Sequence, residues 1–494
     1  MPSRSTRSPN STQAAAWSAR LSLSFLSLSS LPSRWCYLAK STLLSALCLL
    51  LILSACATSV ETVTPPEVTR EASATATVTP APVSTLGVEA ESLRGVVIMA
   101  WHPWFGIEAS LFETQVADFN ATNEWGVTVL TAGQSNYAEL FNTVTASLSA
   151  PNKPNLVIGL PEHALFWDER TGVVDIAPYL ADPIWGMSAD DVADFPSVFW
   201  EQDMVGERRL GMPAERTTRL IYYNVSWARE LGFSSPPATA DDFREQACKA
   251  NESFRQNEDP KDDAFGGWLV DTDPITAMNW MLAFGGGVQE AQGYRFLRPE
   301  NIAAFRFAKT IFDEGCAFQL TDTTAVDAFA NRRALFVTGG LEDVATQSRA
   351  FLTLSRTDEW TLIPFPGETK TMAVYGSSYI VIPSDDASQL ATWLFVRWLL
   401  EPGNQARWVS TTGMFPLRTS TLNLVADYAS AHPQWVQVVK LLPSAQGTPR
   451  LSSWRLIRLV LGDGFEFMFR VDMPVGQVAT ILADMDRAVD DLTK

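Results

Sequence analysis

From Gly95 onward the hydrophobic period of the chain switches repeatedly, and this alternation constrains the fold more than any other feature. "GVVIMAW" reads as a strand, "IEASLFETQVADFNATN" as an amphipathic helix and "GVTVLTA" as a strand; "YAELFNTVTASLSA" is a helix, "NLVIGL" a strand and "EHALFWDE" a helix. A β-α-β-α-β order implies a parallel sheet covered by helices. Right-handed crossovers then bring the carboxyl ends of the strands, and the loops after them, to one edge. "WHPWFG", "TAGQSNY" and "LPEH" fall on that edge. The first is unusual, because Trp101, His102, Trp104 and Phe105 follow directly on a buried strand in a chain with only three histidines.

Downstream the pattern continues. "RRLGMPAERTTRLIYYN" reads as two extended segments joined by a turn. "TADDFREQACKAN" is a helix opened by Thr239, with Asp242 at capping-box spacing. Asp273 and Pro274 open the helix in "DPITAMNWMLAFGG", and the glycines of "FGGGV" stop it. Past "YGSSYIVIP" the chain is largely helical. A chain of 494 residues exceeds what one core supports, roughly 250–300 residues, so at least two lobes are expected. No phosphate loop, dinucleotide fingerprint, nucleophile elbow or HExxH motif occurs.

The amino terminus has its own signature. Residues 1–40 lack Asp and Glu and carry Arg4, Arg7, Arg20, Arg34 and Lys40; the apolar run Leu43 to Leu53 follows. That run suits an export signal and is too short for a span of ~20 residues. It ends in "LSAC", which resembles the lipobox of bacterial lipoproteins, and the resemblance implies that Cys56 is acylated as the first mature residue. The expected leader is 1–56, and the Thr/Pro/Ala-rich stretch 57–90 is expected to be a tether reaching about 30 Å as a coil. Five positive charges leave with the leader and the whole chain carries −18, so the mature chain stands near −23. Such acidity leaves no basic face for nucleic acid. Of five cysteines only Cys248 and Cys316 remain in the mature body, and outside the cytoplasm such a pair is expected to form a disulfide.

Taken in order, "WHPWFG", "PAERTTRLIYYN", "WARELGFSSPPATADDFREQA", "NWMLAFGGGV", "FANRRALFVTGG", "YGSSYIVIP" and "SSWRLIRLVLGDGF" resemble the extracellular solute-binding protein family 1, which feeds sugar-type ABC importers. The resemblance implies an α/β, two-lobed periplasmic-binding-protein clamp of type II-like form. Each lobe would hold a mostly parallel sheet flanked by helices, and the carboxyl terminus would be helical. One lobe would comprise 95–214 with 370–412, the other 219–364 with 414–494. It further implies a non-catalytic, monomeric receptor, anchored by lipid to the outer face of the cell membrane. A carbohydrate would be its ligand, membrane permease subunits its partners, and no cofactor is needed.

A sugar has apolar C–H faces edged by hydroxyls, so aromatic rings beside carboxylate, guanidinium and hydroxyl groups are what it requires. Trp101, His102 and Trp104 suit that role on the strand edge. Trp454 matches the carboxyl-lobe tryptophan that stacks on sugar in maltose-type binders, and Trp268 falls where the family places an aromatic cleft wall. Glu215, Arg216 and Thr217 sit at the first hinge crossing; Glu162 and His163, and Tyr375, Ser377 and Ser378, are further candidates. No metal is expected, because Tyr222 and Tyr223 are adjacent in a strand and point to opposite faces, and His102 with His163 lacks further ligands. Two competing readings are a glycerol-phosphate binder of the same fold and a surface glycoside hydrolase with paired carboxylates.

Overall fold

A computed structural model describes residues 82–291, 293–320 and 322–493. The first β-α-β-α-β stretch forms as its periodicity requires. Strand Val97–His102 pairs in parallel with Thr128–Gly133 on one side and Leu156–Gly159 on the other. Two later segments complete this five-stranded sheet: Ser378–Val381 runs antiparallel to Leu156–Gly159, and Met212–Pro213 lies on its outer side. Helices cover the faces, and Phe112 and Phe119 of helix Gly106–Thr122 meet Phe395 of helix Asp386–Leu399.

A second sheet is ordered Ala317–Phe318, Gly266–Leu269, Ala334–Gly340, Thr217–Asn224, Ala373–Tyr375 and Gln446–Gly447, with Trp360–Ile363 also on Thr217–Asn224. The first three run parallel, and Thr217–Asn224 runs antiparallel to Ala334–Gly340. The flanking helices start where local chemistry directs. Thr239 and Asp242 cap helix Ala240–Arg255 reciprocally, and Asp273 accepts from the Ile275 N–H in front of helix Pro274–Ala283. Tyr222 and Tyr223 take opposite faces of the sheet, packing on Trp360 and Phe336 respectively. The carboxyl terminus is the helix pair Trp454–Met468 and Val478–Leu492. Cys248 and Cys316 are joined in a disulfide across 68 residues.

The chain passes from the first sheet to the second between Pro213 and Thr217, and returns between Tyr375 and Ser378. The two crossings touch. Gly376 has φ +153°, and a Cβ there would lie 2.1 Å from the carbonyl oxygen of Glu215, so only glycine allows the approach. A third segment joins them, as the Phe415 N–H donates to the Arg216 carbonyl at 2.9 Å.

The expected leader, including Cys56, lies outside the described residues, as does the tether up to residue 81. The last part of the expected tether differs from the expectation of a free coil. Asp182 accepts from the Ser84 hydroxyl and from both the N–H and hydroxyl of Thr85, while Leu86 and Val88 pack on the core. Short polar side chains followed by two apolar ones thus convert the end of the linker into a strap on the body. Among the described residues no helix is long and apolar enough to cross a membrane.

Candidate functional site

Between the two sheets lies a cavity of about 280 Å³. Leu160, Pro161 and Glu162 reach it from the carboxyl end of the third strand, Asp273 to Ile275 from a helix start, and Tyr375 and Gly376 from the return crossing. Trp454 and Arg458 close it from one face of helix Trp454–Met468, being four residues apart.

Trp454 is held rigidly. Its indole lies 6.0 Å from the Tyr294 ring at 19° between planes, and the Tyr294 hydroxyl is 3.2 Å from that of Ser453. Burial pushes the Tyr294 phenol up to about 12, so it stays protonated. The Glu162 carboxylate stands 3.7 Å from the Arg458 guanidinium. Burial raises the Glu162 pKa, and Arg458 and Arg455 oppose that rise. Arg455 itself lies over the Phe141 ring at 4.2 Å. Two further bonds join the same segment to the first-sheet side: the Ser452 hydroxyl donates to Glu169 at 2.7 Å and Arg450 donates to the Glu201 carbonyl at 2.8 Å. Asp273 lies 3.9 Å from Arg219, which is bound to Asp271 at 2.8 Å. Burial raises the Asp273 pKa and lifts the Tyr375 phenol well above its ordinary value. The cavity therefore offers an aromatic wall, two carboxylates, one guanidinium and one neutral phenol.

Residues 114–435 match the family model for bacterial extracellular solute-binding proteins. The chain belongs to that family. As such it is an extracellular, non-catalytic receptor, the solute-binding protein of an ABC transport system. A binding protein of Brucella abortus (strain 2308) is 20% identical over 64% of this chain and 75% of its own length. Among solved structures, the sugar-binding protein MalE from Xanthomonas citri superposes with a TM-score of 0.68 at 19% identity, covering 80% of this chain and 97% of that one. UgpB from Mycobacterium tuberculosis in complex with glycerophosphocholine gives 0.65 at 15% identity, over 80% and 98%. The substrate-binding protein Lmo0181 from Listeria monocytogenes in complex with cycloalternan gives 0.66 at 14%, over 81% and 99%.

In this solute-binding protein the residues singled out from the sequence separate into three groups. Glu162, Tyr375 and Trp454 line the cavity. Glu215, Arg216, Thr217, Ser377 and Ser378 build the crossings. The Glu215 carboxylate accepts from Trp104 Nε1 at 2.9 Å and from the Tyr137 hydroxyl at 2.6 Å. Arg216, wholly buried, pairs with Asp203 at 3.0 Å and donates to the Glu215 and Ser377 carbonyls and the Ser378 hydroxyl. The Thr217 hydroxyl donates to the Glu342 carboxylate.

The remaining aromatics differ from their expected place on the cavity wall. Trp268 is fully buried among Phe243, Trp280 and Phe469, because every residue of its strand is covered on both faces. Trp104 packs on Trp408 at 4.6 Å and on Phe112 at 5.1 Å, and His102 lies against both Trp104 and Phe112. Burial lowers the His102 pKa. Trp101 is half-buried at the margin of the small core around Trp167. His163 packs between Phe141 and Trp167, where burial pushes its pKa well below the usual value. Among the described residues the one cluster of three metal-type ligands is Cys248, Glu314 and Cys316, whose sulfurs are bonded to each other.

Arg458 and Asp273 escaped the sequence reading as cavity residues. A signal for Arg458 existed, since it sits one helical turn beyond Trp454 on the same face. Asp273 was visible only as a helix cap, a role it does fill, with its second oxygen 3.9 Å from Arg219.

Proposed function

We propose that this protein captures a mono- or oligosaccharide in the cavity between its sheets, closes on it and delivers it to a membrane permease. The observation that carries the reading is the cavity wall itself, in which Trp454 is brought together with Glu162, Tyr375, Asp273 and Arg458. An indole covers the apolar face of a pyranose while the polar groups engage its hydroxyl rim. Neighbours of the same fold include receptors crystallised with cycloalternan and with maltotriose, which supports a carbohydrate. Contacts from both sides of the cavity exist together only in the closed form, so the solute favours closure by its differential affinity.

The lobes of the clamp are taken as 95–214 with the chain from Ser377 to 412, and 219–364 with 414–494. The return boundary is moved from 370 because Ala373–Tyr375 pairs with Thr217 and Thr218 in the second sheet. Anchoring through an acylated Cys56 completes the proposal, supported by the lipobox-like "LSAC". A second reading, a glycerophosphodiester such as the one bound by UgpB, is favoured by the Arg458 guanidinium in the cavity.

The test is titration calorimetry of residues 82–494 with maltose, maltotriose, glucose and glycerophosphocholine, on the wild type and on Trp454→Phe. Sugar binding that weakens about tenfold or more in the variant supports the reading. Binding of glycerophosphocholine alone refutes it.

A further inference from the structure

Two charges that the family likeness did not single out as a unit face each other across the cavity. Glu162 belongs to the segment after the third strand of the first sheet, Arg458 to a helix packed on the second, and their side chains are 5% and 32% exposed. At 3.7 Å the pair is electrostatic and not hydrogen-bonded. Among the described residues no other side chain donates to the Glu162 carboxylate, and the buried Nε of Arg458 has no acceptor. Both groups therefore keep hydrogen-bonding capacity for a guest. The remaining charge on the wall, Asp273, has Arg219 at 3.9 Å as counter-charge, and Arg455 is turned onto the rings of Phe141 and Phe166.

On the reading that this cavity is the solute site, we propose that the Glu162–Arg458 pair is a charge filter, which admits solutes without net charge and rejects those that carry charge of one sign only. Hydroxyl groups donate to Glu162 and accept from Arg458 at the same time, so an uncharged solute bridges the pair and leaves it intact. An anion seated on Arg458 displaces Glu162 and strands a buried carboxylate. A cation seated on Glu162 is repelled by the guanidinium that stands 3.7 Å from that carboxylate. Removing the partner of a buried charge is far costlier than never having had the pair, so each guest with charge of one sign only is disfavoured. A zwitterion satisfies both members and passes.

The experiment uses inorganic phosphate and choline as probes, read by thermal shift and calorimetry on the wild type, Glu162→Gln, Arg458→Gln and the double variant. The wild type should take up neither probe. Glu162→Gln should bind phosphate at least about tenfold more tightly than the wild type, and Arg458→Gln should gain choline by a similar factor. The double variant should lose both gains, which ties them to this cavity. The two variants are read separately, so failure of one to fold leaves the other arm decisive. Phosphate or choline uptake by the wild type equal to that of the variants, or no gain in the folded ones, overturns the proposal. Neither result depends on sugar: a wild type that binds glycerophosphocholine and no sugar, but excludes phosphate and choline, ends the carbohydrate reading and leaves the filter standing.

Discussion

Asp203→Ala should be among the most damaging single changes in the molecule, although Asp203 touches no solute. Its carboxylate is 1% exposed and is the only ion-pair partner of the fully buried Arg216 among the described residues, at 3.0 Å. Burial lowers the Arg216 pKa and Asp203 opposes the fall, yet a guanidinium remains charged at neutral pH. Removing the carboxylate leaves that charge hydrogen-bonded to the Glu215 and Ser377 carbonyls and the Ser378 hydroxyl, with the Glu215 carboxylate as the remaining charge that favours it. Breaking a buried pair in this way costs about 3–5 kcal/mol. Arg216→Met should cost less, because the buried Asp203 keeps the more distant charge of Arg209. Combining them removes both charges, so the double variant should be more stable than the sum of the single effects predicts, with a coupling of about 2–3 kcal/mol. Urea unfolding of the ligand-free protein, monitored by tryptophan fluorescence, measures all three. A loss below about 1 kcal/mol for Asp203→Ala, or strict additivity, would refute the argument that this pair holds the crossings together.

Two further predictions concern the second sheet and its crossing. Replacing Cys248 and Cys316 by Ala should lower stability by about 4 kcal/mol, from the chain entropy released when a 68-residue separation is no longer closed; non-reducing peptide mapping of the wild type must first show the two linked. Burial and the neighbouring Asp343 raise the Glu342 carboxyl from 4.5 to about 7, against the Thr217 hydrogen bond. The folded state then holds this proton more firmly than the unfolded chain. Its contribution is complete below about pH 4.5 and is lost as pH rises through 7, on the order of 3 kcal/mol. Glu342→Gln keeps the neutral form at every pH, so the stability gap between variant and wild type should widen from pH 4.5 to 8; a constant gap in urea unfolding would remove Glu342 from the explanation.

The sequence reveals most where structure is local. Thr239 with Asp242, and Asp273 with Pro274, announce helix starts through side chains that satisfy nearby N–H groups. Hydrophobic period alone separates the first three strands from their helices. The site is legible only in part, because lining depends on which way a ring points after distant segments have packed. Trp268 and Trp454 look equally suitable as sequence. Both are fully buried, but Trp268 lies in a strand covered on both faces, while Trp454 begins a helix that borders the cavity between the sheets. The aromatic run that opens the body illustrates the same point. Trp104 gives its N–H to Glu215 and its ring to Trp408, and so acts on the crossing rather than on the cavity wall. Glycine at 376 is explicable only once the Glu215 carbonyl is seen against it.

The place of strand Ser378–Val381 has a consequence for how the first sheet matures. It lies in the interior of the first sheet, between Leu156–Gly159 and Met212–Pro213, yet it is synthesised after nearly all of the second sheet. A chain emerging from its amino end therefore cannot finish the sheet it starts first. Leu156–Gly159 waits with one edge unpaired while Thr217–Asn224, Gly266–Leu269 and Ala334–Gly340 already have one another. Long-range pairing of this kind is slow and leaves an early strand edge open to other chains. The part of the body that appears first thus keeps an open strand edge until Val381 has emerged, and that edge is where aggregation during export would begin.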